Sequence, residues 1–275
     1  MLLTGLWPLI RLFVLGLGPG ADGAPLGLAR ETLANAAFQR AFWNTLAASG
    51  ASVVISGVLG LGLALATGLA RLPGRALATF LALSPLLIPA QIMALAWIEL
   101  MGSTSVILGP LGLAPAPGQP NPLYSGAGIA WLMGIEHMPL VFIAVRASLS
   151  AIPADLIEAA RIAGAGQARI IWRVILPLTL PAALSGTVLA FAAAIGNFGI
   201  PALLGIPGRF PVLTTLIYQR LNGFGPEVIP RVAVMALVLV AMAGAALALR
   251  QILLRGLAVP LPAGAGFRGF APARP

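Results

Sequence analysis

Residues 150–177 read SAIPADLIEAARIAGAGQARIIWRVILP, and this stretch carries the local signals that decide the architecture. Pro153 suits the first turn of a helix, and Ser150 lies just ahead of it as a candidate N-terminal cap. Acidic residues follow in the early turns, where their negative charge stabilises the positive N-terminal end of the helix dipole. Gly164 is a natural C-terminal stop. The stretch therefore predicts a short amphipathic helix over roughly Pro153–Ala163.

One face of this predicted helix carries little side-chain bulk. A stripe at helical spacing is formed by Leu156, Ala159, Ala160 and Ala163. Because most of these side chains are small, another surface could approach the helix backbone closely. A short amphipathic helix lying on the bilayer surface is the simpler interpretation, and the pattern alone leaves both open.

Long apolar runs lie on both sides of this segment. Hydrophobic residues make up 59% of the 275-residue chain and charged residues 8%, and a soluble protein with so few charges could not cover its surface. A membrane-spanning helix needs about 20 mostly apolar residues. The sequence therefore predicts an all-α polytopic membrane protein with about six transmembrane helices, at roughly residues 1–17, 48–70, 76–98, 124–146, 175–197 and 232–254. These form one transmembrane domain over residues 1–257, followed by a flexible tail or linker at 258–275.

The arginines are distributed unevenly among the predicted loops. The chain has 16 basic residues, all of them Arg, and seven acidic residues, for a net charge of +9. If six spans alternate, one side of the membrane receives Arg71, Arg75, Arg146, Arg161, Arg169, Arg173, Arg250, Arg255, Arg268 and Arg274. The positive-inside rule makes that side cytoplasmic. We therefore predict a multi-pass membrane protein, with the loop at 147–174 and both termini in the cytoplasm. Arginines spaced between apolar runs favour membrane orientation over a nucleic-acid partner.

Missing residue types exclude several kinds of chemistry. The sequence has no Cys, no Lys and a single His. It therefore lacks thiol catalysis and Cys-ligated metals, and one His argues against a His-built metal site. No phosphate-binding Gly-x-x-x-x-Gly-Lys-Ser/Thr loop is present, so any ATP hydrolysis must come from another chain. We predict no catalytic residue, no metal site and no cofactor on this chain.

The central loop resembles the EAA loop of permease subunits of ABC importers. The positions that match are Glu158, Ala159, Ala160, Gly164, Leu176 and Pro177. The motif usually has Ile where this chain has Val174. The resemblance extends over about Leu46–Leu254 and implies a MetI-like type I importer permease fold. It also implies that the six matching residues belong to a cytoplasmic coupling helix and its flank.

The same resemblance implies a function and a set of partners. The chain would be the permease subunit, in the bacterial inner membrane, of an ATP-driven, binding-protein-dependent importer that works by alternating access. Its coupling helix would dock on cytoplasmic ATPase subunits, which carry the ATP and Mg. Other implied partners are a second permease half (homodimer, heterodimer or fused half), a periplasmic or extracellular substrate-binding protein, and membrane lipid. Residues 196–205 (GNFGIPALLG) and 213–220 (LTTLIYQR) look like permeases of iron(III), polyamine and aminophosphonate importers, which favours iron(III) as the solute.

Three polar residues are candidates for lining a translocation path. Glu136 lies near the middle of the fourth predicted span beside His137, and Glu99 ends the third. The resemblance puts Asn197, at the end of the fifth span, beside the path. Each has a structural alternative, namely a proline kink for the first, headgroup water for the second and an interhelical hydrogen bond for the third.

A secondary transporter or channel without an ATPase partner is the alternative interpretation. Many secondary transporters contain inverted repeats and interrupted helices, and the sequence has no convincing internal repeat. An intramembrane enzyme is disfavoured by the missing residue types. Disruption of the central loop would distinguish an importer from a secondary transporter or channel, since only an importer needs that loop for coupling.

Overall fold

The structure, a computed structural model, describes residues 2–20, 23–69 and 73–255, and within them all regular structure is helical. The predicted tail at 258–275 and Arg71, Arg268 and Arg274 lie outside the described residues. The helices are α1 (Leu2–Gly16), α2 (Gly27–Ala34), α3 (Ala36–Leu69), α4 (Arg75–Leu83), α5 (Ala90–Leu100), α6 (Gly126–Ala151), α7 (Ala154–Ile162), α8 (Gln167–Ile170), α9 (Leu176–Gly196), α10 (Gly199–Leu204), α11 (Leu213–Leu221) and α12 (Val228–Leu254). A 3-10 turn (Ser84–Leu87) follows α4, and a π-helical turn (Ile171–Ile175) joins α8 to α9.

Four helical segments in the described part of the chain are long and apolar enough to cross a membrane. They are Ala36–Leu69, Gly126–Ala151, Gln167–Gly196 and Val228–Leu254. The bent pair Arg75–Leu87 and Ala90–Leu100 makes five if it is counted as one span. α1 has 15 residues, fewer than the roughly 20 that a span needs. The all-α polytopic fold is confirmed, and the count of six spans stays a prediction.

The segment predicted as one span at 76–98 is interrupted. α4 passes into the 3-10 turn, and Ile88 then adopts an extended backbone (φ −104°, ψ 121°) just before Pro89. The ring of a proline disfavours the helical conformation for the residue before it. The helix therefore ends there, although the apolar pattern continues without a break.

α3 begins at residue 36, twelve residues before the predicted start at 48. The side-chain oxygen of Asn35 accepts hydrogen bonds from the backbone N–H groups of Ala37 (2.9 Å) and Phe38 (3.4 Å). Asparagine is among the best helix N-terminal caps because it satisfies N–H groups that have no partner inside the helix. The first turns of α3 contain Arg40 and Asn44, so hydropathy alone placed the start too late.

Contacts divide the chain into two units. The first is drawn from residues 1–50, 90–130 and 195–245. Its core includes Phe38 and Ala41 of α3 together with Leu213 of α11. The hydroxyl of Thr45 accepts the N–H of Leu213 (2.8 Å) and donates to the carbonyl of Ala41 (2.7 Å). This bond satisfies an otherwise unpaired donor at the start of α11 and ties that helix to α3.

Among the described residues, the second unit is drawn from 51–69, 73–89, 131–194 and 246–255 and contains the central loop. Two glycines allow close packing onto α6. A Cβ on Gly60 of α3 would lie 2.7 Å from the Cβ of Val141, and a Cβ on Gly186 of α9 would lie 2.7 Å from the Cα of Val141. Small residues at such contacts let membrane helices approach closely enough for dispersion forces to hold them.

Candidate functional site

The central loop contains the predicted helix, which is α7 (Ala154–Ile162). Its N-cap is Pro153 in extended conformation, and no side chain caps it. The prediction that Ser150 caps this helix is wrong. α6 continues to Ala151, and the Ser150 hydroxyl donates to the carbonyl of Ala147 (2.8 Å) within that helix. A serine that bonds back into its own helix is not available to cap the next one.

Gly164 ends α7 as predicted. Its φ of +79° is in the left-handed region, and its N–H donates to the carbonyl of Arg161 (2.9 Å). The N–H of Ala165 donates to the carbonyl of Ala160 (3.0 Å), which completes a Schellman motif. No atom lies within 4 Å of the position a Cβ would take on Gly164. The glycine is therefore required by the backbone conformation and not by lack of space.

One face of the loop is anchored in the core of the second unit. Ile157 of α7 is 1% exposed and belongs to the same buried cluster as Val141 and Val145 of α6. The residues that flank α7 contribute three more fully buried isoleucines to this cluster, Ile152, Ile170 and Ile175. The loop is thus fixed to the packed interior of the spanning helices by four branched side chains.

The opposite face of α7 is exposed and carries both apolar and charged side chains. Leu156 is 41% exposed and Ile162 is 88% exposed. Ala159, Ala163 and Glu158 are also exposed, and Ala160 is half-buried. Most of the predicted stripe therefore faces outward. The sequence pattern did not predict Ile157 as the buried anchor or Ile162 as a member of the exposed face, although Ile162 follows Ala159 at helical spacing.

The segment before Pro177 is a π-helical turn instead of an α-helical one. The N–H of Leu176 donates to the carbonyl of Ile171, five residues earlier. Pro177 has no N–H, and its ring would clash with the carbonyl of Arg173 in a regular α-helix. A widened turn avoids that clash, which is the usual physical origin of such distortions. Leu176 and Pro177 therefore lie where the central loop becomes the spanning part of α9.

Exposed cationic and aromatic side chains follow α7. Arg169 and Arg173 are exposed, and so is most of Trp172. Arginine and tryptophan side by side are typical of two settings, the membrane–water interface and protein docking surfaces.

The candidate path residues fall in different units. Glu136 is in the second unit, where its Oε2 lies 3.8 Å from Nε2 of the buried His137. Asn197 is in the first unit, where its side-chain oxygen accepts the N–H of Ile200 (3.2 Å) and its carbonyl accepts the Thr214 hydroxyl (2.8 Å). These bonds make Asn197 part of the turn into α10. Glu99 is exposed in α5 of the first unit.

The part of the chain that the structure describes has no cluster of side chains that could bind a resident metal ion. No group of three or more His, Cys, Asp or Glu side chains lies together there. A path-lining role for Glu99, Glu136 and Asn197 stays a prediction.

Relatives and solved structures share the fold. The chain is 36% identical over 106 residues to the Molybdenum transport system permease protein ModB of Escherichia coli (strain K12), which covers 38% of this chain and 46% of that protein. It is 28% identical over 196 residues to the Sulfate transport system permease protein CysT of Salmonella typhimurium, covering 70% and 69%. The chain thus spans about half the length of the molybdenum relative.

Two solved structures give the same result for the architecture. The bacterial alginate ABC transporter in complex with a pentasaccharide-bound periplasmic protein superposes with a TM-score of 0.75 at 20% identity, covering 93% of this chain and 92% of that one. The inward-facing MetNI methionine ABC transporter gives 0.62 at 22% identity, covering 81% and 96%. The predicted MetI-like fold is confirmed.

A family profile covers most of the chain. It is described as "Binding-protein-dependent transport system inner membrane component" and matches residues 56–259. The match includes α7, Gly164 and the π-helical turn, together with the apolar helices on either side. The predicted inner-membrane, multi-pass localisation is confirmed. The chain belongs to the family of inner-membrane components of binding-protein-dependent transport systems.

Proposed function

We propose that this chain is the permease subunit of an ATP-driven, binding-protein-dependent importer, and that it works by alternating access. The observation that carries the proposal is the division of α7 into two faces. Ile157 is buried among the spanning helices, and Leu156 and Ile162 are exposed. A helix that is anchored on one side and exposes apolar side chains on the other fits a part that transmits the movement of a docked partner into the membrane helices.

The docked partner in this proposal is a cytoplasmic ATPase subunit. The chain has no phosphate-binding loop and no lysine, so ATP and Mg would be bound by the ATPase. The exposed small side chains of Ala159 and Ala163 would let an ATPase cleft close on the α7 backbone, with Glu158, Ala160 and Gly164 completing the contact. Leu176 and Pro177 would carry the movement through the widened turn into α9.

The remaining partners follow from the family. A second permease half would complete the pathway, as a homodimer, a heterodimer or a fused half. A substrate-binding protein would deliver solute from outside, by analogy with the alginate transporter, whose structure is a complex with a pentasaccharide-bound periplasmic protein. Lipid would cover the outward faces of the spanning helices, and the exposed Arg169 and Arg173 would contact anionic headgroups or the ATPase.

The solute is the finest part of the proposal. The iron(III) solute predicted from the sequence has no support from the relatives, whose names are those of molybdenum and sulfate permeases. Molybdate and sulfate are both tetrahedral dianions, whereas iron(III) is a cation. The predicted spans and their ends contain only Glu136 and Glu99 as acidic residues, which suits an anion better than a cation. We therefore favour a small oxyanion as the transported solute.

The test adds bulk to the exposed face of α7. We expect Ala159→Phe to lower both co-purification of the ATPase subunit and ATP-dependent uptake into proteoliposomes by about tenfold. An overpacked contact costs about 1–3 kcal/mol, and about 1.4 kcal/mol corresponds to a factor of ten in binding. Uptake of labelled molybdate, sulfate and iron(III) in the same vesicles, with the binding protein present, would compare the solutes.

The matched control is Ala37→Phe, which adds the same bulk to an exposed alanine in the first turn of α3. We expect it to leave ATPase association and uptake unchanged. Uptake that continues without the ATPase, and that Ala159→Phe does not alter, would instead establish a secondary transporter or channel.

A further inference from the structure

A groove in the second unit lies among three of the spanning helices, α6, α9 and α12. Its volume is about 290 Å³. It is lined by Leu140, Ala144, Ser185, Gly186, Leu189, Leu247 and Arg250. The groove contains no residue of the central loop and none of the candidate path residues, so the proposed function gives it no role.

Arg250 is the only charged side chain in the lining of this groove. The charge distribution in the sequence groups it with the cytoplasmic arginines, and the structure places it inside α12, about one turn before the helix ends at Leu254. No carboxylate forms an ion pair with it among the described residues. A cation inside a spanning helix is costly unless an anion or water compensates its charge.

The rest of the groove is apolar. Leu140, Leu189 and Leu247 contribute aliphatic walls. The only side-chain hydroxyl, that of Ser185, donates to the carbonyl of Pro181 (2.8 Å) and is not a free donor. A free inorganic oxyanion would lose its hydration here and gain a single cation in exchange, so the groove does not suit it.

An anionic phospholipid matches both parts of the groove. Its acyl chain can lie against the leucines, and its phosphate can accept charge-assisted hydrogen bonds from the guanidinium. α12 has 27 residues, more than the roughly 20 that a span needs, so a residue one turn from its end would lie near the depth of the headgroups. Basic pockets between spanning helices on the cytoplasmic side are a recurring form of lipid recognition.

We propose that the groove between α6, α9 and α12 is a binding site for an anionic phospholipid, with the phosphate on Arg250 and one acyl chain along Leu140, Leu189 and Leu247. The site is separate from the proposed coupling function. Loss of lipid binding would leave the docking face of α7 unchanged.

The test uses the full chain in nanodiscs and native mass spectrometry, with phosphatidylglycerol and phosphatidylcholine offered together. We expect Arg250→Gln to lower the ratio of bound phosphatidylglycerol to phosphatidylcholine by at least about tenfold, since a hydrogen bond to a charged group contributes about 1.5–3 kcal/mol. The matched control is Arg255→Gln, which removes the same charge from an exposed position just after α12. We expect it to lower the ratio about fivefold at most, the effect of one arginine near an anionic surface.

A second variant tests the groove without changing its charge. Leu189→Trp fills the space, and we expect it to displace phosphatidylglycerol as strongly as Arg250→Gln does. Equal losses in the Arg250 and Arg255 variants, or retention of lipid by both groove variants, would overturn the proposal.

Two other occupants give their own results. Displacement of phosphatidylglycerol by sulfate or molybdate would make this a site for a free oxyanion. Because the chain has no cysteine, Leu247→Cys offers a single thiol. A disulfide between two copies of that variant would show that a second permease covers the groove. Either result would overturn the proposal.

Discussion

Removal of the side chain that anchors α7 is the most informative single change. Ile157→Ala deletes a branched side chain that is 1% exposed and is packed in the core of the second unit. α7 has nine residues, and an isolated helix of that length is not stable in water. Its order therefore depends on this docking contact, and the loss should appear first as local opening of the helix.

The magnitude follows from the burial of Ile157. Truncation of a fully buried isoleucine to alanine costs about 2–5 kcal/mol, with the lower values where the surroundings can close the cavity. A loop can relax more than a core helix, so we take the lower end, about 2 kcal/mol. That free energy corresponds to about a 30-fold increase in the equilibrium constant for local opening.

Hydrogen exchange measured by mass spectrometry on peptides covering residues 154–166 would test this estimate. We expect exchange in these peptides to be about 30-fold faster in Ile157→Ala, with peptides from α6 and α9 nearly unchanged. The neighbouring variant Leu156→Ala is the control, because Leu156 is 41% exposed, against 1% for Ile157, and its loss should change exchange about twofold or less. Faster exchange in Leu156→Ala than in Ile157→Ala would refute the assignment of the buried face.

Two further predictions concern glycines. Gly60→Ala should lower the melting temperature, because its Cβ would lie 2.7 Å from the Cβ of Val141. Gly62→Ala in the same helix would meet nothing within 4 Å and should leave the melting temperature unchanged or raise it. Equal shifts in both variants would contradict close packing of α3 on α6. Gly164→Ala should destabilise the end of α7 by about 1–2 kcal/mol, which is the cost of a left-handed residue with a side chain. We expect hydrogen exchange at residues 160–166 to accelerate without loss of the remaining fold. An unchanged exchange rate would mean that the turn does not need glycine.

The ends of α7 were predictable because short-range signals set them. Pro153 prevents α7 from starting earlier, because proline is not tolerated in the interior of a helix. Gly164 supplies the one left-handed residue that the Schellman motif requires. The predicted range of 153–163 and the observed Ala154–Ile162 differ by one residue at each end. The Ser150 cap failed because the end of α6 depends on packing, and α6 runs several residues past its last long apolar stretch.

The interruption at Pro89 and the π-helical turn before Pro177 were not predictable for a different reason. Both prolines are visible in the sequence, and a proline in an apolar run is compatible with a kink, a break or a widened turn. The choice depends on how neighbouring helices satisfy the released carbonyl groups. Hydropathy averages over that choice, which is why the runs at 76–98 and 175–197 looked alike and folded differently.

The buried side of α7 could not be assigned from periodicity, because α7 is apolar over much of its circumference. At about 100° per residue, Ile162, Ala159 and Leu156 follow one another around the helix within about 120°, an arc that also includes the exposed Asp155, and Ile157 lies about another 100° further on. A helix that is apolar over so wide an arc is expected to be covered on more than one side. The core of the second unit covers the side of Ile157 and leaves Ile162 88% exposed. The exposed arc therefore carries more apolar surface than a helix that faces only solvent. A docked partner would remove this surface from water, and that is the physical basis of the coupling role that the EAA resemblance implied.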